Sequence, residues 1–312
     1  MGFEFMRTIQ SDRTLFAHSN LESGLRTSPK RSRFAVGFAS IAVGWVALVN
    51  PAFALQVQLA PAQPQLGDTL SVTLEVEDSR SRPTVKMGQT TYPVFPLGNN
   101  RYRALVPTTP LNRPGSLTLE ASGDGEAKVL RTTLRDRAFS TQRIRLSGGG
   151  SNATELELNR VAVFKSLVTP EKFWSGLFLR PTQGNVSTVF GVRRYYNGVF
   201  AENYYHRGVD YAASAGTSVI APASGRVALV GRESEGFRVH GNTVGIDHGQ
   251  GVLSIFLHLS RITANDGDFV QAGQQIGTVG STGASTGPHL HWGLYVHGQA
   301  VDPVPWRFQG IE

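Results

Sequence analysis

Cysteine is absent from the whole chain. That excludes disulfide bonds and thiolate metal sites, so any bound metal must be held by His, Asp or Glu. Lys/Arg-rich runs and nucleic-acid-binding motifs are also missing, and no nucleic-acid partner is expected. Long helical patterns are scarce. With 35 glycines and 16 prolines, the chain reads as short strands separated by many turns. The longest apolar run, Phe34 to Val49, has 16 residues, fewer than the roughly 20 that a spanning helix needs.

That run belongs to a leader. Arg26, Lys30, Arg31 and Arg33 precede it, and Ala52 and Ala54 bracket Phe53 after it, as in an A-x-A cleavage site. Residues 1–54 therefore read as an export signal, cleaved after Ala54 so that the processed chain keeps no membrane span, the alternative being a retained membrane anchor. No adjacent arginine pair stands before the apolar run, which favours the general secretory route over the twin-arginine one. The leader carries six of the basic and three of the acidic residues, so its removal lowers the formal charge from +7 to +4. The remainder is mildly basic, compatible with an anionic polymer without demanding one.

The processed chain reads as all-β, in two parts. Between residues 55 and 146, "LSVTLEVED" alternates, with Leu70, Val72, Leu74 and Val76 on one face. Gly98-Asn99-Asn100 is a hairpin signal. Six or seven short strands in this stretch predict an immunoglobulin-like sandwich, with no catalytic constellation of its own. Residues 147–175 read as a linker and helical connector. "SGGGSN" is a flexible joint by composition, and "ATELELNRVAVFKSLV" has helical spacing, with Leu156, Val163 and Leu167 near one stripe. A second helix start is expected at Thr169-Pro170-Glu171. Residues 176–312 are strand–turn–strand units again, with too few helices for a parallel α/β sheet. An antiparallel sheet folded as a sandwich or open barrel is expected.

Polar chemistry collects in this last part. In "GPHLHWGLY", His289 and His291 share one strand face while Leu290 takes the other. His206 and Asp210, in "HRGVD", are i and i+4 and share a face on a strand or a helix. On a regular strand His258 falls on the face of Ser254 and Phe256. Each group alone is weak. Together they suffice for a catalytic zinc site, which uses three protein ligands and keeps one position open. The His/Asp pair plus one late histidine supplies three ligands, and two imidazoles remain for acid–base work and oxyanion stabilisation. Spacing does not decide which of His289 and His291 is the ligand. Of the other histidines, His240 and His297 sit at turn-like glycines and are expected to be solvated, while His248 is expected to bond to backbone.

The run of motifs "FGVRR", "HRGVDYAA", "GTSVIAPASGRV", "GNTVGIDHGQG", "FLHLS", "VQAGQQIGTVGSTGASTGPHLHWGLY" and "VDPVPW" resembles, in order, the lysostaphin/LytM-type zinc endopeptidases. The resemblance covers roughly Gly176 to Pro305. The stretch before it is similar to the β-sandwich that precedes this domain in some exported members. The resemblance implies Zn2+ held by His206, Asp210 and His291. It implies that His258 and His289 flank the activated water, one or both taking its proton or stabilising the oxyanion. It further implies cleavage of peptide bonds in peptidoglycan cross-links or stem peptides, D-Ala to diaminopimelate and glycine bridges both being handled in the family. A location in the periplasm or cell envelope follows, and a monomer is expected. Phe256 departs from the family pattern, where a tyrosine is common, and the swap is expected to alter pocket polarity.

Two other classes compete. A non-catalytic wall-binding or amidase-activating module lacks some of the five site residues, whereas all five are present here. "GDFVQAGQQIGTVG" also looks like the hairpins of biotinyl and lipoyl carriers, but no lysine occurs between Arg226 and Pro305, which excludes a lysine-linked carrier. Tyr195, Tyr196, Tyr204 and Tyr205 are candidates for one groove wall or for core packing.

Overall fold

A computed structural model describes residues 55–145 and 152–311. The leader and most of the glycine-rich joint, residues 147–151, lie outside the described residues. The front part has eight strands: β1 (Gln56–Ala60), β2 (Thr69–Glu75), β3 (Thr84–Met87), β4 (Thr90–Tyr92), β5 (Val94–Gly98), β6 (Arg101–Pro107), β7 (Gly115–Gly123) and β8 (Glu126–Leu134). They form two antiparallel four-stranded sheets, ordered β1-β2-β6-β5 and β4-β3-β7-β8. Leu70, Val72, Leu74 and Val76 of the first sheet pack with Val85, Leu119 and Ala121 of the second in one buried cluster. Alternation along β2 fixes this: one residue in two points inward, and a slip of one would turn the apolar set to water. Asn99 and Asn100 both have positive φ, the two-residue turn joining β5 to β6 that asparagine tolerates best among residues with a side chain.

After β8 the chain leaves these sheets. β9 (Thr141–Ile144) pairs in parallel with β11 (Arg193–Tyr196), which also pairs with β12 (Val199–Phe200). One helix follows, α1 (Glu155–Lys165). Thr154 and Glu157 cap it reciprocally: the Glu157 N–H donates to Thr154 Oγ1, and the Thr154 N–H donates to Glu157 Oε2. The buried residues of α1 are Glu157, Val161 and Phe164, while Leu156 and Val163 are exposed. Of the stripe expected at Leu156, Val163 and Leu167, Leu167 just past the helix packs against the core, while the other two face outward because Glu157 with its own partners occupies the inner face. No helix forms at Thr169-Pro170-Glu171. There the Thr169 hydroxyl donates to Asp247, and its carbonyl accepts the Gln250 N–H, which ties the segment to the sheet in extended form.

The C-terminal part is a ten-stranded sheet of β10 (Asn185–Thr188), β13 (Val209–Ala212), β14 (Ser218–Ile220), β15 (Gly225–Gly231), β16 (Asn242–Gly249), β17 (Val252–Ile262), β18 (Phe269–Val270), β19 (Gln275–Val279), β20 (His289–Val296) and β21 (Gln299–Val301). Its main path is β10-β13-β20-β17-β16-β15-β18, with β19 pairing β14 and β17, and β21 pairing β20. All these pairs are antiparallel. The architecture is all-β with open sheets, as expected, with one short α-helix among the described residues. Among the described residues no helix is long and apolar enough to cross a membrane.

The two parts meet through a seam of apolar and polar contacts, with Leu105 of β6 joining the buried core of the C-terminal part. Arg103 of β6 is wholly buried, donates to Gln250 Oε1 at 2.6 Å and to the Ile311 carbonyl at 2.9 Å, and stacks 5.3 Å from the Trp174 ring. Arg137 pairs with Asp302 at 2.8 Å. A buried guanidinium is tolerated because these partners replace its water.

Candidate metal centre

The register of β13 against β20 builds the centre. Asp210 stands directly opposite His291 and Ala212 opposite His289, so the Asp210 and His291 side chains share a face at adjacent positions. Leu290 and Trp292 take the other face and are wholly buried. His206 enters just ahead of β13. Its backbone exchanges hydrogen bonds with Val192 and Gly191, and its ring Nδ1 donates to the Val189 carbonyl at 2.9 Å. That leaves Nε2 as the free lone pair, 3.1 Å from Asp210 Oδ1 and 3.1 Å from His291 Nδ1. His291 Nδ1 closes the triangle, 2.8 Å from Asp210 Oδ1.

Three donors in mutual contact, all buried, have too few protons to satisfy one another. A divalent cation solves this. Ligand atoms about 2.0–2.1 Å from a tetrahedral zinc lie roughly 3.3 Å apart, close to the observed edges. The donor set, two nitrogens and one carboxylate oxygen, is also one that zinc prefers. The residues fit the ion.

Their ionisation suits it too. Burial by itself pushes the Asp210 carboxyl up, but hydrogen bonds from His206 and His291 outweigh it and hold the group far below the usual carboxylate range. Burial lowers His291 to about 4, against the pull of Asp210. At neutral pH the set is an anionic carboxylate beside a neutral His291.

Gly208 makes the approach possible. A Cβ there would stand 2.4 Å from the Trp292 carbonyl and 2.7 Å from His291 Nε2. Sequence reasoning passed over it, although a glycine at the edge of a strand is a sign of close approach.

His258 and His289 lie together beside the triangle, with ring centroids 4.8 Å apart. His258 Nδ1 donates to the Thr282 carbonyl and His289 Nδ1 to the Gly287 carbonyl, each at 2.8 Å. In the neutral form of either ring this leaves the lone pair on Nε2. Burial lowers His258 to about 3, so it is neutral.

The face expected for His258 is corrected. Register places Phe256 opposite Trp292 and Leu257 opposite His291, so Ser254 and Phe256 lie on the face away from the centre. His258 escapes that face through a bulge: Val244 pairs with Phe256 but Asn242 with Leu259, and His258 has φ +63°. Two residues oppose one, the alternation slips, and the ring turns toward His289. A left-handed non-glycine residue costs on the order of 1–3 kcal/mol and persists where its surroundings hold it. Phe256, wholly buried on the far face, does not line the centre, so its departure from tyrosine leaves the polarity there untouched.

The histidines set aside behave differently from one another. His248 bonds to the Ser224 carbonyl, as expected, and to Ser254 Oγ. His240 is half-buried and paired, its Nδ1 2.6 Å from Glu157 Oε1. His297 is not solvated: its ring nitrogens are buried and its ring packs 6.0 Å from Tyr92 of the front part. Of the four tyrosines, Tyr205 is core, donating to the Ala300 carbonyl at 3.0 Å. Tyr204 accepts from Arg194 at 2.9 Å, and the charge of Asp210 reaches that guanidinium.

Residues 204–303, which hold the triangle and both flanking histidines, match the profile of Peptidase family M23. This stretch is an M23 peptidase domain. An uncharacterized metalloprotease of Haemophilus influenzae is 32% identical over 173 residues, covering 55% of this chain and 35% of the relative. The DD-carboxypeptidase/endopeptidase Mpg of Neisseria meningitidis is 46% identical over 99 residues, 32% of this chain and 22% of the relative. The chain thus aligns with about a third or less of the length of these relatives. A solved structure from Pseudomonas aeruginosa, described as a candidate peptidase M23, superposes with a TM-score of 0.59 at 27% identity, covering 79% of this chain and 96% of its own. That likeness extends the shared architecture beyond the M23 domain.

Proposed function

We propose that the protein is an exported zinc endopeptidase that cuts peptide bonds in peptidoglycan cross-links or stem peptides. One observation carries the reading: Asp210 Oδ1, His206 Nε2 and His291 Nδ1 converge within 2.8–3.1 Å, with two further imidazoles alongside. A zinc ion held there supplies Lewis acidity, polarising a carbonyl and making water a nucleophile near neutral pH. His258 and His289 do the proton work. The Nε2 lone pair of one accepts the water proton as the water oxygen bonds to the carbonyl carbon, and that proton then passes to the departing amine nitrogen. The other, having taken a proton from solvent at Nε2, donates that N–H to the tetrahedral oxyanion as a hydrogen bond. The Thr282 and Gly287 carbonyls hold each Nδ1–H and so keep Nε2 turned to the reaction.

The peptidoglycan substrate is supported by a Vibrio cholerae relative, 39% identical over 118 residues, whose name is peptidoglycan DD-endopeptidase ShyC. Export rests on the leader, and a cell-envelope location with a monomeric protein completes the reading. The division at residues 146 and 176 is kept, with the front sandwich as a spacer. Its seam reaches the β16–β17 turn at Gln250 and the β20–β21 turn at His297. His289 is eight residues back along β20, about 25 Å at the rise of a strand. These contacts lie away from the metal centre, whereas β9 pairs with β11 beside the Gly191 and Val192 backbone that holds His206. Mass spectrometry of muropeptides after digestion tests the whole reading: new stem peptides or split cross-links are expected. A folded, zinc-loaded protein that releases none overturns it.

A further inference from the structure

The connector helix reaches the catalytic centre through one side chain. Glu157 of α1 is wholly buried, yet it points into none of the histidines beside the metal triangle. Its carboxylate instead gathers the turn before β16: it accepts from the backbone N–H groups of Arg238 at 3.0 Å, Val239 at 3.0 Å and His240 at 2.7 Å, and contacts His240 Nδ1 at 2.6 Å. That turn has a second task. The His240 carbonyl accepts the backbone N–H of His258 at 3.0 Å, and the Val239 carbonyl accepts that of Ala284 at 2.9 Å. Beside it runs the segment whose Thr282 carbonyl holds the His258 ring. The two segments touch at Gly241 and Gly283, where a Cβ on either would come within 2.5 Å of the other's backbone.

We propose that Glu157 is a positioning residue for His258: by clamping the 238–240 turn it fixes both the left-handed backbone and the ring tautomer of that histidine. His258 sits in a backbone conformation that a histidine does not adopt unaided, and its own two restraints, His240 O and Thr282 O, lie on segments fastened to Glu157 directly or through one layer. Loosening the clamp lets the bulge relax toward regular alternation, which carries the ring to the face of Phe256. The inference rests on the catalytic part proposed for His258.

Glu157→Gln in the full chain keeps the size of the side chain and removes the charge and one acceptor. The direct test is a long-range proton–nitrogen NMR spectrum of the histidine rings. In the parent protein His258 is expected as a fixed Nδ1–H tautomer. In Glu157→Gln its signals average between tautomers, while His248, also Nδ1–H bonded, stays unchanged. In turnover, kcat falls about tenfold or more with KM within about twofold. In a His258→Ala background the same substitution changes kcat by less than about twofold, because the two act as one unit. Should Glu157→Gln not fold, Glu157→Asp keeps the charge, shortens the reach and predicts the same loss of a fixed tautomer. A folded variant whose His258 keeps the parent tautomer overturns the proposal. If the parent protein cuts no wall peptide, the proposed function fails while the tautomer comparison still decides this inference.

Discussion

Among the buried carboxylates of the C-terminal half, Asp210 and Glu157 each touch imidazole. Their remaining partners separate them. Glu157 accepts from three consecutive backbone N–H groups of a turn as well as from His240. Among the described residues the Asp210 side chain has two partners, His206 and His291, whose nitrogens also face each other. In both, burial pushes the carboxyl up and the hydrogen bonds outweigh it. A low carboxyl therefore does not mark a metal site. What marks it is a donor set left short of protons, in contrast with one saturated by backbone.

Substitutions sharpen that contrast. The largest effect is expected at the triangle: His291→Ala or Asp210→Ala removes stoichiometric zinc and all measurable turnover, read by metal analysis and a muropeptide assay. Next comes His258→Ala, which keeps zinc and lowers kcat by about 10²–10⁴-fold; full activity in that variant breaks the role given to His258. Glu157→Ala is expected to cost about 3–5 kcal/mol in denaturant unfolding, because three partly buried N–H groups and His240 lose their acceptor together. Asp210→Asn in metal-free protein should cost far less, and equal losses would erase the distinction between the two carboxylates.

A pH effect comes next in size. Burial holds His248 at about 4, whereas an unfolded imidazole titrates near 6.5. The unfolded chain thus binds a proton between about pH 6.5 and 4 that the native chain refuses. Stability is full above that window and falls by roughly 3 kcal/mol across it. His258, His291 and His297 are lowered by burial too and add with the same sign. Unfolding of His248→Gln against pH should show a shallower acid slope than the parent. The smallest effect is expected for Phe256→Tyr. Its ring faces away from the centre, so kcat should stay within about threefold, and a larger change would contradict the register of β17.

Much of this was legible in the chain. Alternation gave β2 its buried face, and Asn99-Asn100 announced their turn, because both are local rules of geometry. His206, Asp210, His258, His289 and His291 stood out by chemistry and order. Their convergence did not, since it depends on Asp210 lying opposite His291 across strands about eighty residues apart in sequence. His258 was assigned to the wrong face because a bulge breaks period-two reasoning without any glycine to signal it. Within the helix the stripe failed for a related reason. Glu157 reads as a solvent-facing charge until the turn that satisfies it is folded against it.

The account turns on three side chains gripping one ion. Crystals of the zinc-loaded protein measured on either side of the zinc absorption edge test this directly. The account predicts a single anomalous peak within bonding distance of His206 Nε2, Asp210 Oδ1 and His291 Nδ1. A zinc-soaked crystal with no peak there, or with its peak among other residues, would contradict it.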